Sequence, residues 1–162
     1  MILFLDYDGV LHPDAAYMGT NGPALRGDGS LFMWAELLAD ALAEHPGVQI
    51  VLSTSWVRRL PFDQVRDFLP PSLRERVIGS TWHHIQHEPE FSRDLPFSYW
   101  QDAIRYQQIR RWVSVYRVGQ WCAIDDDGGG WPDADRDRLV LTDSARGLSD
   151  PTALARLAEL LK

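Results

Sequence analysis

Apolar residues along this chain fall into two patterns. Short runs are almost unbroken: Ile2 to Leu5, then residues 48–52, 76–81, 121–124 and 139–142. Each closes at a polar or turn-forming residue: the first predicts a strand buried on both faces, 48–52 a second buried strand, 76–81 and 121–124 core strands, and 139–142 a short strand. Between them, apolar positions recur every three or four residues. Over 31–45 the stripe is Leu31, Trp34, Leu37, Leu38, Ala41 and Leu42, with Ser30 as the expected N-cap and Pro46-Gly47 as the stop. Residues 62–69 predict a short helix closed by Pro70-Pro71, and 72–76 a further turn or helix. Residues 99–116 predict a helix whose inner face carries Ile104, Gln108, Ile109, Trp112, Val113 and Tyr116. Asp150-Pro151 supplies a cap and an N1 proline for a last helix through Leu154, Leu157 and Leu161. Strand and helix alternate, so the expected fold is α/β: a parallel sheet with right-handed crossovers.

Two segments break this rhythm. Residues 12–30 are rich in Gly, Pro, Asn and Asp, with turn signals at Asn21-Gly22-Pro23 and Gly27-Asp28-Gly29. Structureless loops of this length are usually functional or disordered, so a loop or small hairpin beside a site is expected. Residues 83–98 lack apolar periodicity and read as a second excursion. His83 and His87 stand four apart there, but no third metal ligand has a suitable spacing and Pro89 interrupts a helix, so a zinc site is not expected.

Composition narrows the class. The 162 residues, 45% hydrophobic and 24% charged, are enough for a single domain with a sizeable core. No run approaches the roughly 18 apolar residues of a membrane span. The opening residues lack a basic segment and a small-residue cleavage site, and the lone Cys122 cannot form an internal disulfide. A cytoplasmic setting is therefore expected. The net charge of −7 opposes tight non-specific binding to nucleic acid, although a local basic patch is compatible with it.

The candidate chemistry lies where the apolar runs end. The first run leads into Asp6-Tyr7-Asp8-Gly9. On an extended backbone Asp6 and Asp8 point the same way, and two carboxylates make a poor core but suit Mg²⁺. The second leads into Ser53-Thr54-Ser55-Trp56, hydroxyls placed before a turn where they and backbone N–H groups can donate to an anion. The fourth leads into Asp125-Asp126-Asp127-Gly128, carboxylates that repel one another unless a cation joins them.

These motifs, in this order, resemble those of the haloacid dehalogenase (HAD) superfamily. Asp6-Tyr-Asp8-Gly9-Val-Leu matches motif I, the strand ending in Ser53 matches motif II, and the strand ending in Asp125-Asp126 matches motif IV. The basic residue of motif III is assigned to Arg105, four before Ile109 and seven before Trp112. The chain is most similar to the small HAD domains of Swiss Army Knife RNA-repair proteins, in I-L-F-L-D-Y-D-G-V-L-H-P, V-L-S-T-S-W, R-V-I-G-S-T and the late G-L-S. It departs from that pattern at Val57, which separates Trp56 from Arg58.

The resemblance implies a three-layer Rossmannoid sheet with helices on both faces, capless or with a minimal cap, a flap over about 12–30 and a lid loop over about 83–98. It implies a phosphatase acting through an aspartyl-phosphate: Asp6 as nucleophile and Asp8 as general acid and base. Ser53 and Thr54 would bind phosphate with Arg105. Mg²⁺ would be held by Asp6, the Asp8 backbone carbonyl and Asp126, with Asp125 in or just behind the ligand set. The expected substrate is a phosphorylated molecule, with Arg58, Arg59 and Arg93 as contacts to a polynucleotide end. The alternatives are a small-metabolite phosphatase, a phosphate-binding regulatory module without turnover, and a dehalogenase, whose chemistry needs neither Asp8 as acid nor Mg²⁺.

Overall fold

The computed structural model describes residues 1–20, 22–82 and 102–162. Strands β1 (Ile2–Leu5), β4 (Gln49–Leu52), β5 (Val77–Ser80), β6 (Trp121–Asp125) and β7 (Leu139–Leu141) form one five-stranded sheet in the order β5-β4-β1-β6-β7. Every pairing in it is parallel. Strands β2 (Ala16–Gly19) and β3 (Gly22–Leu25) form a separate antiparallel hairpin within the segment expected to be a flap.

The alternation of side chains along each strand sorts the core into two layers. Leu3, Leu5, Ile50, Leu52, Cys122 and Ile124 face one side. There they pack with Leu38 and Leu42 of α1 (Ala35–Ala43), Leu73 of α3 (Pro71–Arg74) and Leu157 of α6 (Pro151–Leu160). Ile2, Phe4, Val51, Trp121 and Ala123 face the other, against Ile109, Trp112 and Val113 of α4 (Arg105–Val115). The architecture is thus the three-layer Rossmannoid one expected, with helices on both faces. Short helices α2 (Phe62–Asp67) and α5 (Asp133–Arg136) lie in the crossovers. Between β1 and β4 the described residues make the hairpin and α1, with no inserted folded unit among them. Residues 83–98, with His83, His87 and Arg93, lie outside the described residues.

Three expectations about elements change. Helix α1 starts at Ala35, not Leu31, and its N-cap is Trp34 without a side-chain hydrogen bond, so Ser30 does not cap it. The turn before it is drawn into tertiary bonds: Trp34 N–H donates to the Leu11 carbonyl at 3.0 Å, and Phe32 N–H to His12 Nδ1 at 3.3 Å. Helix α4 begins at Arg105, so Ile104 precedes it and is exposed rather than inward, as is Tyr116 at its far end. Strand β5 is an edge strand with Ile78 exposed, not a fully buried one. The cap at Asp150 holds: its carboxylate accepts from Thr152 N–H at 2.9 Å.

Candidate active site

The register of the sheet builds the site. Leu5 stands opposite Leu52 and Ile124, and Leu52 opposite Ser80. The next rung therefore places Thr81, Ser53, Asp6 and Asp125 side by side across four adjacent strands. Ladder bonds carry this rung: Ser53 N–H donates to the Leu5 carbonyl, Asp6 N–H to Ile124, and Thr81 N–H to Leu52, all at 2.8–3.1 Å. Asp6, Ser53 and Asp125 are in phase with the core that faces α4, and a register shift within β5 brings Thr81 into step with Ser53, so they point to that face where the strands end. In open α/β sheets this is the edge where ligands bind.

Helix α4 delivers Arg105 to the same place. Arg105 shares a helix stripe with buried Ile109 and Trp112, and the packing of that stripe on Phe4 aims its first turn at the strand ends. Arg105 Nη2 lies 3.3 Å from Asp6 Oδ2, and Nε lies 3.0 Å from Asp125 Oδ2. Asp6, Asp125 and Asp126 each offer a carboxylate oxygen within 4.8 Å of the others.

Electrostatics show the tension in this cluster. Burial pushes the Asp6 carboxyl up to about 6 against the pull of Arg105 and of the Tyr7 N–H bond. Burial, then repulsion from Asp6, raises Asp125 well above the usual carboxylate range. Burial and Asp14 raise Asp126, with a Ser144 hydrogen bond opposing them. Burial works against the charge on Arg105, but Asp6 and Asp125 outweigh it and hold the guanidinium as a cation. Among the described residues, three close carboxylates against one arginine leave excess negative charge in a mostly buried place. This is a hard-oxygen donor set that fits Mg²⁺.

Asp8 sits differently from the extended-strand expectation. Gly9 has φ +66° and the Val10 and Leu11 N–H groups both fold back to the Tyr7 carbonyl, so the chain turns as soon as the strand ends. The Asp8 carboxylate stands outside the three-aspartate cluster. Its Oδ2 accepts from Trp56 Nε1–H at 2.8 Å and its Oδ1 lies 3.1 Å from His12 Nε2. Gly9 is also where Asp126 needs room: a Cβ there would collide with the Asp126 carboxylate.

Ser53 is buried and its Oγ has no partner among the described residues, an orphan donor beside Asp6. The Thr54 hydroxyl is committed to capping, accepting from Trp56 N–H at 3.4 Å. Asp127 accepts from Gly129 N–H at 2.7 Å at the rim of the centre. Two cavities flank the centre. One of about 160 Å³ is lined by Thr54, Ser55, Arg58, Trp82, Arg105 and Asp127, and Arg58 stacks over Trp82 at 4.9 Å. The other, of about 210 Å³, is lined by Asp8, Tyr17, Met18, Ser55, Trp56 and Arg59, between the β2–β3 hairpin and the 3₁₀ turn Ser55–Arg58.

Three residues of this neighbourhood escape a reading by motif. Thr81 brings a second buried hydroxyl, without a partner among the described residues, next to Ser53, and its signal was the same one, a hydroxyl closing a strand. His12 and Trp56 hold Asp8; both stand in the matching segments, but nothing in their spacing joins them.

An α/β sheet with aspartates at the ends of β1 and β6, a hydroxyl at the end of β4 and a basic residue from a flanking helix defines the HAD class, whose phosphatase-type hydrolases act on phosphorylated substrates. The family described as the HAD domain in Swiss Army Knife RNA repair proteins matches residues 2–153, and the chain belongs to that family. Comparison with curated proteins and with solved structures returned no match.

Proposed function

We propose that this domain is a Mg²⁺-dependent phosphatase that works through an aspartyl-phosphate on Asp6. The observation that carries the reading is the rung that sets Asp6 beside Asp125, with the unpartnered Ser53 hydroxyl on one side and Arg105 bridging both carboxylates.

Asp6, Asp126 and Asp125 would hold the Mg²⁺, together with the Asp8 backbone carbonyl. When bound, the ion neutralises charge between nucleophile and phosphate and acts as a Lewis acid on the phosphoryl oxygens. An Asp6 oxygen attacks phosphorus, and the bond to the leaving oxygen breaks with its electron pair remaining on that oxygen. Asp8 gives that oxygen a proton. Ser53 Oγ–H, the Thr54 N–H and Arg105 donate to the phosphoryl oxygens, where charge is concentrated during transfer. Asp8, now a carboxylate, takes a proton from water as the water attacks phosphorus and Asp6 departs. A dehalogenase needs none of the Asp8 chemistry, so the Asp6–Asp8 pair favours phosphoryl transfer.

For the substrate, we infer a phosphorylated polynucleotide end. Exposed Arg58 and Arg59 stand over the two cavities that flank the centre, and no folded unit inserted between β1 and β4 closes over them. The test is hydrolysis of a generic phosphomonoester with Mg²⁺ and with EDTA. Turnover that survives the chelator contradicts the reading and points to metal-independent chemistry.

A further inference from the structure

We infer that His12 and Trp56 are positioning residues that fix the plane of the Asp8 carboxylate for proton exchange with the leaving group. This rests on the phosphatase reading above and extends it to residues outside the motif assignments.

His12 is fully buried, and the hydrogen bonds at its two ring nitrogens settle its tautomer. Phe32 N–H donates to Nδ1 at 3.3 Å, so Nδ1 carries no proton. The ring proton is therefore on Nε2, which lies 3.1 Å from Asp8 Oδ1 and donates to it. Trp56 Nε1–H, which can only donate, reaches Asp8 Oδ2 at 2.8 Å. Each carboxylate oxygen thus accepts one N–H bond, from residues four and 48 positions away in sequence.

The geometry is held from behind. Phe32 has φ 60°, a strained conformation for a bulky residue that persists only where its surroundings fix it. Its ring is clasped edge-on by Tyr7 at 4.9 Å and Trp56 at 5.6 Å and stacked on Phe68 at 5.6 Å. The His12 ring packs against Phe32 and Trp56 at 5.1 and 5.8 Å. One aromatic cluster therefore sets the Phe32 N–H, the His12 ring and the Trp56 indole together.

The consequence concerns lone pairs. A carboxylate has about four acceptor sites, two per oxygen. His12 and Trp56 occupy one on each oxygen. Among the described residues nothing else meets these oxygens, so the pair that remains on each is open to the proton that Asp8 passes to the leaving oxygen as the P–O bond breaks. The 210 Å³ cavity in front of Asp8, between Tyr17, Met18 and Arg59, is where that leaving group would stand.

The test uses the full chain with Mg²⁺ and two substrates: p-nitrophenyl phosphate, whose leaving group departs as a stable anion, and an alkyl phosphate, whose alkoxide must be protonated. The quantity is kcat/KM, which covers steps through leaving-group departure and excludes hydrolysis of the intermediate. His12→Phe removes the donor; His12→Gln keeps one. His12→Phe is expected to lower kcat/KM for the alkyl ester at least about tenfold more than for the aryl ester, within the roughly 10²–10⁴ that general acid catalysis supplies. His12→Gln should recover much of the alkyl activity. Equal losses on both substrates overturn the inference and leave His12 a structural residue. If His12→Phe does not fold, His12→Gln and Trp56→Phe are judged by the same ratio. A wild-type protein inactive on both esters removes the phosphatase reading itself, and this inference with it.

Discussion

Asp6 carries the sharpest conflict in the molecule. It is buried, it faces two other carboxylates, and among the described residues a single arginine, Arg105, answers it. Without metal its carboxyl is raised to about 6, above its value in an unfolded chain. Its contribution to stability is therefore fully present below pH ~4 and is lost as the pH rises through about 6. Asp6→Asn removes that titration. In EDTA the variant is expected to lose less thermal stability than wild type between pH 4.5 and 7.5, by on the order of 2 kcal/mol. Calorimetry at the two pH values checks this, and an unchanged fall in the variant contradicts it. The same variant should fold yet hydrolyse no phosphomonoester. That trade of stability for function was only partly legible from residues. Asp6, Asp125 and Asp126 end apolar runs, so their convergence follows from strand order. The partners of Asp8 did not follow, because His12 and Trp56 reach it through a turn that alternation cannot describe.

At the scale of elements, the turn after β1 matters most. Gly9 takes a left-handed φ and leaves room that Asp126 fills. Gly9→Ala is expected to cost about 1–2 kcal/mol in backbone strain alone. It should also displace Asp126 and weaken Mg²⁺ binding, raising the Mg²⁺ concentration for half-maximal activity at least about tenfold. Mg²⁺ titration of activity beside a denaturation curve separates the two effects. A stability loss with an unchanged Mg²⁺ requirement would remove Asp126 from the ligand set. Helix α4 shows why the placement of Arg105 was readable and the helix boundary was not. Arg105, Ile109 and Trp112 fall on one stripe, so the basic residue must share the face that packs on the sheet. Where the helix starts is set by local bonds: the Gln107 side chain accepts from Ile104 N–H, and Gln108 donates to the Ala103 carbonyl. The start of α1 was hidden for a similar reason, since Phe32 and Trp34 give their N–H groups to His12 and Leu11 rather than to a first helical turn.

At the scale of the whole molecule, the charge of −7 opposes a polyanionic substrate, while the turn carrying Arg58 and Arg59 places cations beside both cavities. Exposed charges farther apart than the Debye length, about 8 Å at physiological salt, are largely screened, so local contacts can outweigh net charge. Replacing both arginines by Ala should raise KM for a 3′- or 5′-phosphorylated oligonucleotide about tenfold or more, with little change for the matching mononucleotide, and flatten the salt dependence of the former. Equal turnover of both substrates by wild type, insensitive to salt, would instead indicate a small-metabolite phosphatase.

The central claim is that Asp6 is the nucleophile, and covalent labelling tests it most directly. The protein is mixed with a radiolabelled phosphomonoester in Mg²⁺ and quenched in acid during turnover. An acid-stable, hydroxylamine-labile phosphate is expected on the peptide containing Asp6, absent in EDTA and in Asp6→Asn. Label retained by Asp6→Asn, or turnover by a variant lacking Asp6, would contradict it.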